Sequence, residues 1–96
     1  MNMQQMLAQA QKIQREIKKA KDALHQQEFE ASKGGVVTVK MLGNKSITSI
    51  HFEEGLLEED NKEMIEEMLI ACINELIEKI EAEEAAIEEK YAGRGF

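Results

Sequence analysis

The sequence predicts an α+β fold: a long N-terminal helix, a three-stranded antiparallel sheet and a long C-terminal helix, with the helices projecting as arms in a dimer. Three observations predict it. Apolar residues at the start recur in alternating steps of three and four. The middle switches to steps of two beside glycine-containing turns. A wide apolar stripe of helical period returns after residue 60. The 96 residues are expected to form one domain over 1–96, and a chain this short buries only about two-thirds of its unfolded surface.

In the first segment, Met3, Met6, Ala10, Ile13, Ile17, Ala20 and Leu24 form an unbroken heptad with no Gly or Pro to interrupt it. One helix is expected over 2–26, with a narrow seam suited to a partner helix. At ~1.5 Å per residue it is roughly 35 Å long, whereas a compact 100-residue domain has a radius of gyration near ~13 Å. Such a helix must project beyond its own globule.

Strands are expected at about 28–32 (an edge strand), 36–42 and 46–52. Gly34-Gly35 reads as a turn, and Val37, Val39 and Met41 share one face of the strand that follows. Gly43-Asn44 has the form of a two-residue hairpin turn. Thr48, Ile50 and Phe52 then share a face of the third strand.

After Gly55-Leu56-Leu57, Asp60 or Asn61 is expected to cap a second helix over about 60–91, with Glu63 and Glu66 favoured by its N-terminal dipole. Met64, Ile65, Met68, Leu69, Cys72, Ile73, Leu76, Ile77 and Ile80 make a stripe wide enough to cover a sheet. Beyond Ile80 it thins to Ala85 or Ala86, Ile87 and Tyr91, so this helix too leaves the core; residues 93–96 read as a frayed tail. Stripe and sheet together exceed what one chain can cover. A homodimer is therefore expected, with Val37, Val39, Ile50, Phe52, Met68, Cys72 and Leu76 in its core and interface.

Composition narrows the class. Hydrophobic residues make up 43% of the chain and aromatic residues 4%, so the core must be aliphatic and methionine-rich. No stretch approaches the ~20 apolar residues of a membrane span, and the polar start Met1-Asn2-Met3-Gln4-Gln5 does not read as a signal peptide. The one cysteine, Cys72, has no internal partner and no metal ligand at a useful spacing, which fits a reducing cytoplasm. The net charge of −7 is unevenly divided. Residues 1–52 hold eight Lys/Arg against four Asp/Glu, a balance of +4; residues 53–96 hold four against fifteen, a balance of −11. The halves face different partners, or each other.

Catalysis has little to work with. Gly34-Gly35 lacks the Lys-Ser/Thr and helix of a phosphate cradle, His51 sits on the polar face of a strand, and Cys72 lies inside the apolar stripe. The glutamates after Glu53 read as a solvated helix face. No catalytic residue, metal site, cofactor or small-molecule substrate is expected. The outer face of the first helix carries the functional signal: Lys12, Arg15 and Lys19 lie at i, i+3 and i+7, away from the seam, flanked by Lys18 and Lys21. Such a row can neutralise backbone phosphates without reading bases. It can equally be a solvated face paired with the acidic last helix.

Taken in order, several segments resemble the YbaB/EbfC-type nucleoid-associated proteins of bacteria. They are the start Met3-Gln4-Gln5-Met6-Leu7-Ala8-Gln9-Ala10-Gln11, the stretch from Phe29 through Ser32-Lys33-Gly34-Gly35 to Val39, the strand Ile47–Phe52 leading into Leu56-Leu57-Glu58-Glu59-Asp60, and Ala71-Cys72-Ile73-Asn74. The chain departs from the family at Glu54, where Pro is usual, and at Leu42, where Asn is frequent. Its last helix is unusually acidic, with ten acidic and three basic residues from Lys62 to Tyr91, and it stops at Phe96 where the family has a longer, Pro-rich tail. The resemblance implies a homodimer in the cytoplasm and on the nucleoid, whose tweezer-like helices bind double-stranded DNA with little sequence preference, altering DNA conformation and gene expression. Lys12, Arg15, Lys18, Lys19 and Lys21 are then the candidate phosphate contacts. The alternative is a coiled-coil, chaperone-like clamp that holds another protein and no DNA, favoured if Met3, Met6 and Leu7 are exposed at a free helix tip.

Overall fold

The computed structural model describes residues 2–92, so the tail expected over 93–96 lies outside the described residues. The elements run α1 (Met3–Gln26), β1 (Glu28–Lys33), β2 (Val37–Leu42), β3 (Ile47–Phe52), one turn of 3₁₀ helix (Glu59–Asn61) and α2 (Lys62–Tyr91). The strands pair antiparallel in the order β1-β2-β3, which is the α+β architecture expected.

α1 starts at a capping box. The Asn2 side chain accepts from the Gln5 N–H at 2.8 Å, and the Asn2 N–H donates to the Gln5 side chain at 3.2 Å, satisfying two of the donors a helix start leaves over. The heptad seam is used only in its second half. Ile13 and Leu24 are buried, while every residue from 2 to 9 is exposed. Lys21 meets Glu88 across the seam, and His25 lies near Glu84, so α1 runs antiparallel to α2 and its N-terminal half extends past it. The molecule measures 69 × 18 × 14 Å with a radius of gyration of 19.6 Å, far above the ~13 Å of a compact chain of this size.

β1 begins at Glu28, extends one residue past expectation to Lys33, and pairs from Glu28↔Leu42 to Lys33↔Val37. The turn between them places Gly34 at φ 60 and Gly35 at φ 68, a left-handed conformation that costs other residues roughly 1–2 kcal/mol. Val36 belongs to this turn, so β2 starts one residue later than the sequence pattern suggested; likewise β3 starts at Ile47, not at residue 46.

The hairpin after β2 differs from the two-residue form expected. The Lys45 N–H donates to the Leu42 carbonyl at 2.8 Å and the Leu42 N–H to the Ser46 carbonyl at 2.9 Å, closing a three-residue loop. Lys45, at φ 70, takes the left-handed position; neither Gly43 nor Asn44 does. A second correction follows in β3. The register shifts beside Lys40 and Met41, so Ile50 opposes Val39 but Ile47, not Thr48, opposes Met41. Thr48 is the extra residue of this bulge, its hydroxyl donating to the Lys40 carbonyl at 3.3 Å.

α2 lies across β1 and β2 and leaves β3 uncovered. Val37, Val39 and Met41 of β2 pack in one cluster with Cys72, Leu76 and Ile80 of α2, and all six are essentially inaccessible. Ala31 and Leu56 complete the core, with Phe52 and Met68 partly buried against it. Ile50, expected in the core or the dimer interface, is 43% exposed in the single chain, because no helix passes over it. Asn61 stands at the N-cap position of α2, one of the two residues expected there, but its side chain makes no capping hydrogen bond; it donates instead to the Leu56 carbonyl at 3.0 Å, holding the 3₁₀ turn that leads in.

Cys72 packs as a small apolar side chain, its Sγ 3.8 Å from the Val37 carbonyl. Burial pushes its thiol above the ordinary value of 9.0, with the Lys33 charge pulling down and Glu75 pushing up by less. A raised folded-state pKa contributes stability that is fully present below the unfolded value and is lost as pH climbs through the folded one. Cys72→Ala is expected to cost about 1 kcal/mol at neutral pH. The deficit should shrink in urea titrations run above about pH 9, where the parent alone must keep a buried thiol protonated.

Candidate nucleic-acid interface

Five cations were expected to form the interface, and the structure divides them. At 3.6 residues per turn, Lys12, Arg15 and Lys19 fall within roughly 60° of arc, opposite the seam. All three are exposed, and among the described residues none has a carboxylate within ion-pair distance. Lys18 donates to Asp22 at 2.8 Å one turn on; that hydrogen bond raises the Lys18 pKa and lowers that of Asp22. Lys21 borders the seam, is half-buried and reaches Glu88 of α2 at 3.5 Å. The continuous cationic face is therefore Lys12–Arg15–Lys19.

The remaining cations of the basic half are also matched. Lys33 meets Glu75 at 3.3 Å, Lys45 lies 3.7 Å from Glu81 and 4.0 Å from Glu84, and Lys40 lies 3.8 Å from Glu28. Three of the ten carboxylates of α2, Glu75, Glu81 and Glu84, thus face lysines at the two hairpin turns. Only Lys21–Glu88 pairs the two helices among the described residues.

The hairpin turn at Gly43-Asn44 also aims α1. The Gly43 N–H donates to the Gln27 carbonyl at 2.9 Å and the Asn44 N–H to the His25 carbonyl at 3.3 Å, so the hairpin satisfies carbonyls at the end of α1. The approach is backbone on backbone. A Cβ at Gly43 would collide with the Leu24 carbonyl group, coming within 2.6 Å of its carbon. Gly43 is needed for proximity, not for a positive φ, and the only sequence signal was the glycine itself.

A groove of about 240 Å³ at the base of the arm is lined by Lys21, His25, Glu84 and Glu88. Among the described residues no cluster of His, Cys, Asp or Glu has the arrangement of a metal site, and none of the described helices is long and apolar enough to cross a membrane.

Fold and site define an α+β protein that displays a row of exposed cations on a projecting helix. Residues 1–95 match the YbaB/EbfC DNA-binding family, and the chain belongs to that family. It is 36% identical over 94 residues to a nucleoid-associated protein of Clostridium novyi, covering 97% of this chain and 82% of that one. It is 34% identical over 92 residues to a nucleoid-associated protein of Enterococcus faecalis, covering 94% and 88%. An uncharacterized protein of Helicobacter pylori, solved by crystallography, shares the fold with a TM-score of 0.62 at 21% identity over 94% of this chain and 88% of that one. The family is described by DNA binding, not by a reaction.

Gly43→Ala is expected to lower stability by about 1–3 kcal/mol in urea denaturation, as overpacked sites do. Lys45→Gly should be close to neutral, since about 1–2 kcal/mol of left-handed strain offsets the added chain entropy. Equal effects at both positions would mean that Gly43 serves the turn and not the arm.

Proposed function

We propose that this protein is a homodimeric, nucleoid-associated DNA-binding protein of the bacterial cytoplasm that grips duplex DNA by its phosphates, with little sequence preference and without catalysis. The observation that carries this reading is the face Lys12–Arg15–Lys19, three exposed cations without carboxylate partners among the described residues, on a helix that leaves the globule. Cations in a row on one helix face suit a regular array of phosphates and carry no base-reading geometry. Lys18 and Lys21 are secondary contacts, since each must first leave Asp22 or Glu88. With −14 formal charges per dimer, attraction is confined to the arms, and the acidic outer face of α2 keeps DNA on the α1 side.

The dimer would use the surface that α2 leaves bare. Ile47 is 45% and Ile50 43% exposed on the inner face of β3, beside Phe52. A second copy brought over this face supplies the apolar cover that one chain lacks. Sedimentation equilibrium at micromolar concentration is expected to give a dimer for the parent and a monomer for Ile50→Glu. A parent that is only monomeric removes the dimer from this reading.

Binding strength should fall steeply with salt. The logarithm of affinity changes with the logarithm of salt concentration by about −0.9 per phosphate neutralised, so three cations on one arm give a slope of about −3, and both arms about −5. Replacing Lys12, Arg15 and Lys19 with Gln should flatten the slope and weaken binding about equally for unrelated duplexes, leaving the dimer intact. The exposed tip, with Met3 at 84%, Leu7 at 59% and Met6 at 53%, favours the second reading of a protein-holding clamp. That reading takes over if the parent binds no duplex at low salt or the triple variant binds as well as the parent.

A further inference from the structure

The first turns of α1 take no part in the core or in the cationic row. Residues 2–9 are exposed on every side, and no residue from Asn2 to Gln11 is charged. Lys21 meets Glu88 close to the end of α2, and α1 runs on from there to Met3. A helix is about 10–12 Å across with its side chains, and the major groove of duplex DNA is about 12 Å wide. A helix therefore enters that groove only where nothing is packed alongside it, as in this stretch of α1.

The face that carries the three cations does not end at Lys12. Successive residues of an α-helix turn by about 100°, so Gln5, at i−7 from Lys12, projects within about 20° of it. Gln4 stands in the same relation to Arg15, at i−11 and again within about 20°. Two amides thus continue the lines of the cations toward the helix start. Gln5 lies about 10 Å along the axis from Lys12, while the groove is about 8.5 Å deep. With Lys12 at the phosphate rim, Gln4 and Gln5 come to the level of the bases.

Their chemistry suits that position. Glutamine pairs with the N6 and N7 edge of adenine, and an amide NH₂ donates to any purine N7. Gln5 is held in place, since its side-chain oxygen accepts the Asn2 N–H at 3.2 Å and its NH₂ is left to donate outward. We propose that α1 enters the major groove by its first turns, with Gln4 and Gln5 against base edges while Lys12, Arg15 and Lys19 hold the phosphates at the rim. The docking rests on the phosphate-binding reading and adds to it a small sequence preference. One glutamine–adenine pair at the weak end of its range discriminates about fivefold, and the cations still supply most of the affinity.

Duplexes enriched from a random pool by the full chain at low salt, and shuffled versions of them, provide the test. The parent is expected to bind an enriched duplex about fivefold more tightly than its shuffled form. Replacing the purines of the enriched duplex by 7-deazapurines, which lack N7 but keep charge and pairing, should abolish that margin. Gln4→Ala/Gln5→Ala should bind both duplexes equally, with the parent's salt slope. Circular dichroism should show it folded, because the Asn2 side chain still accepts the N–H of residue 5. Lys12→Gln/Arg15→Gln/Lys19→Gln should weaken both duplexes and keep the margin. The proposal is overturned by a parent that binds duplexes without any margin, by a margin that survives the 7-deazapurines, or by one that survives in the glutamine variant. In each of these cases phosphate binding still stands. A parent that binds no duplex at all removes both, in favour of the protein-holding clamp.

Discussion

The face that α2 presents to β2 sets the rest of the structure. Cys72, Leu76 and Ile80 meet Val37, Val39 and Met41 with essentially no surface left to solvent. Burying the larger of these side chains is worth about 1.5–3 kcal/mol apiece, an upper bound because the unfolded chain is already partly collapsed. Because this contact is centred on β1 and β2, α2 cannot also cover β3. The bare inner face of β3, with Ile47 and Ile50 half-exposed, follows directly from it. So does the line along which α2 continues past the sheet to meet the second half of the α1 seam.

Placing α2 also decides the electrostatics. The stripe that buries Leu76 and Ile80 brings Glu75 beside Lys33, Glu81 and Glu84 beside Lys45, and Glu88 beside Lys21. Each of these pairs is substantially exposed and adds little stability. Their larger effect is to partition charge: hairpin lysines are matched with α2 carboxylates, while Lys12, Arg15 and Lys19 lie on the far side of α1, away from α2. A chain of net charge −7 thereby keeps a positive face on its arm. The arm in turn depends on the hairpin, since the Gly43 and Asn44 amides hold the end of α1 and the missing side chain at Gly43 lets the two backbones touch.

The sequence alone determined what depends on local period and on the residues' own chemistry. Steps of three and four in α1, alternation in β2 and the broad stripe of α2 fixed the element types and the buried set Val37, Val39, Cys72 and Leu76, because burial periodicity is written residue by residue. Two glycines in succession at 34–35 gave the first turn for the same reason. Tertiary structure decided whatever depends on a distant partner. Gly43 was legible as a glycine, but its need to meet Leu24 was not, and the left-handed residue of that loop proved to be Lys45. Alternation put Thr48 on the inner face of β3, and pairing with Lys40 and Met41 inserted the bulge that put Ile47 there instead. Ile50 had the pattern of a core or interface residue, and only the placement of α2 leaves it half-exposed in the single chain. Among the five candidate cations, charge and spacing singled out the helix face. Which lysines keep a carboxylate beside them depended on where α2 came to lie, and an ion pair between residues 67 positions apart, as in Lys21–Glu88, leaves no mark in local sequence.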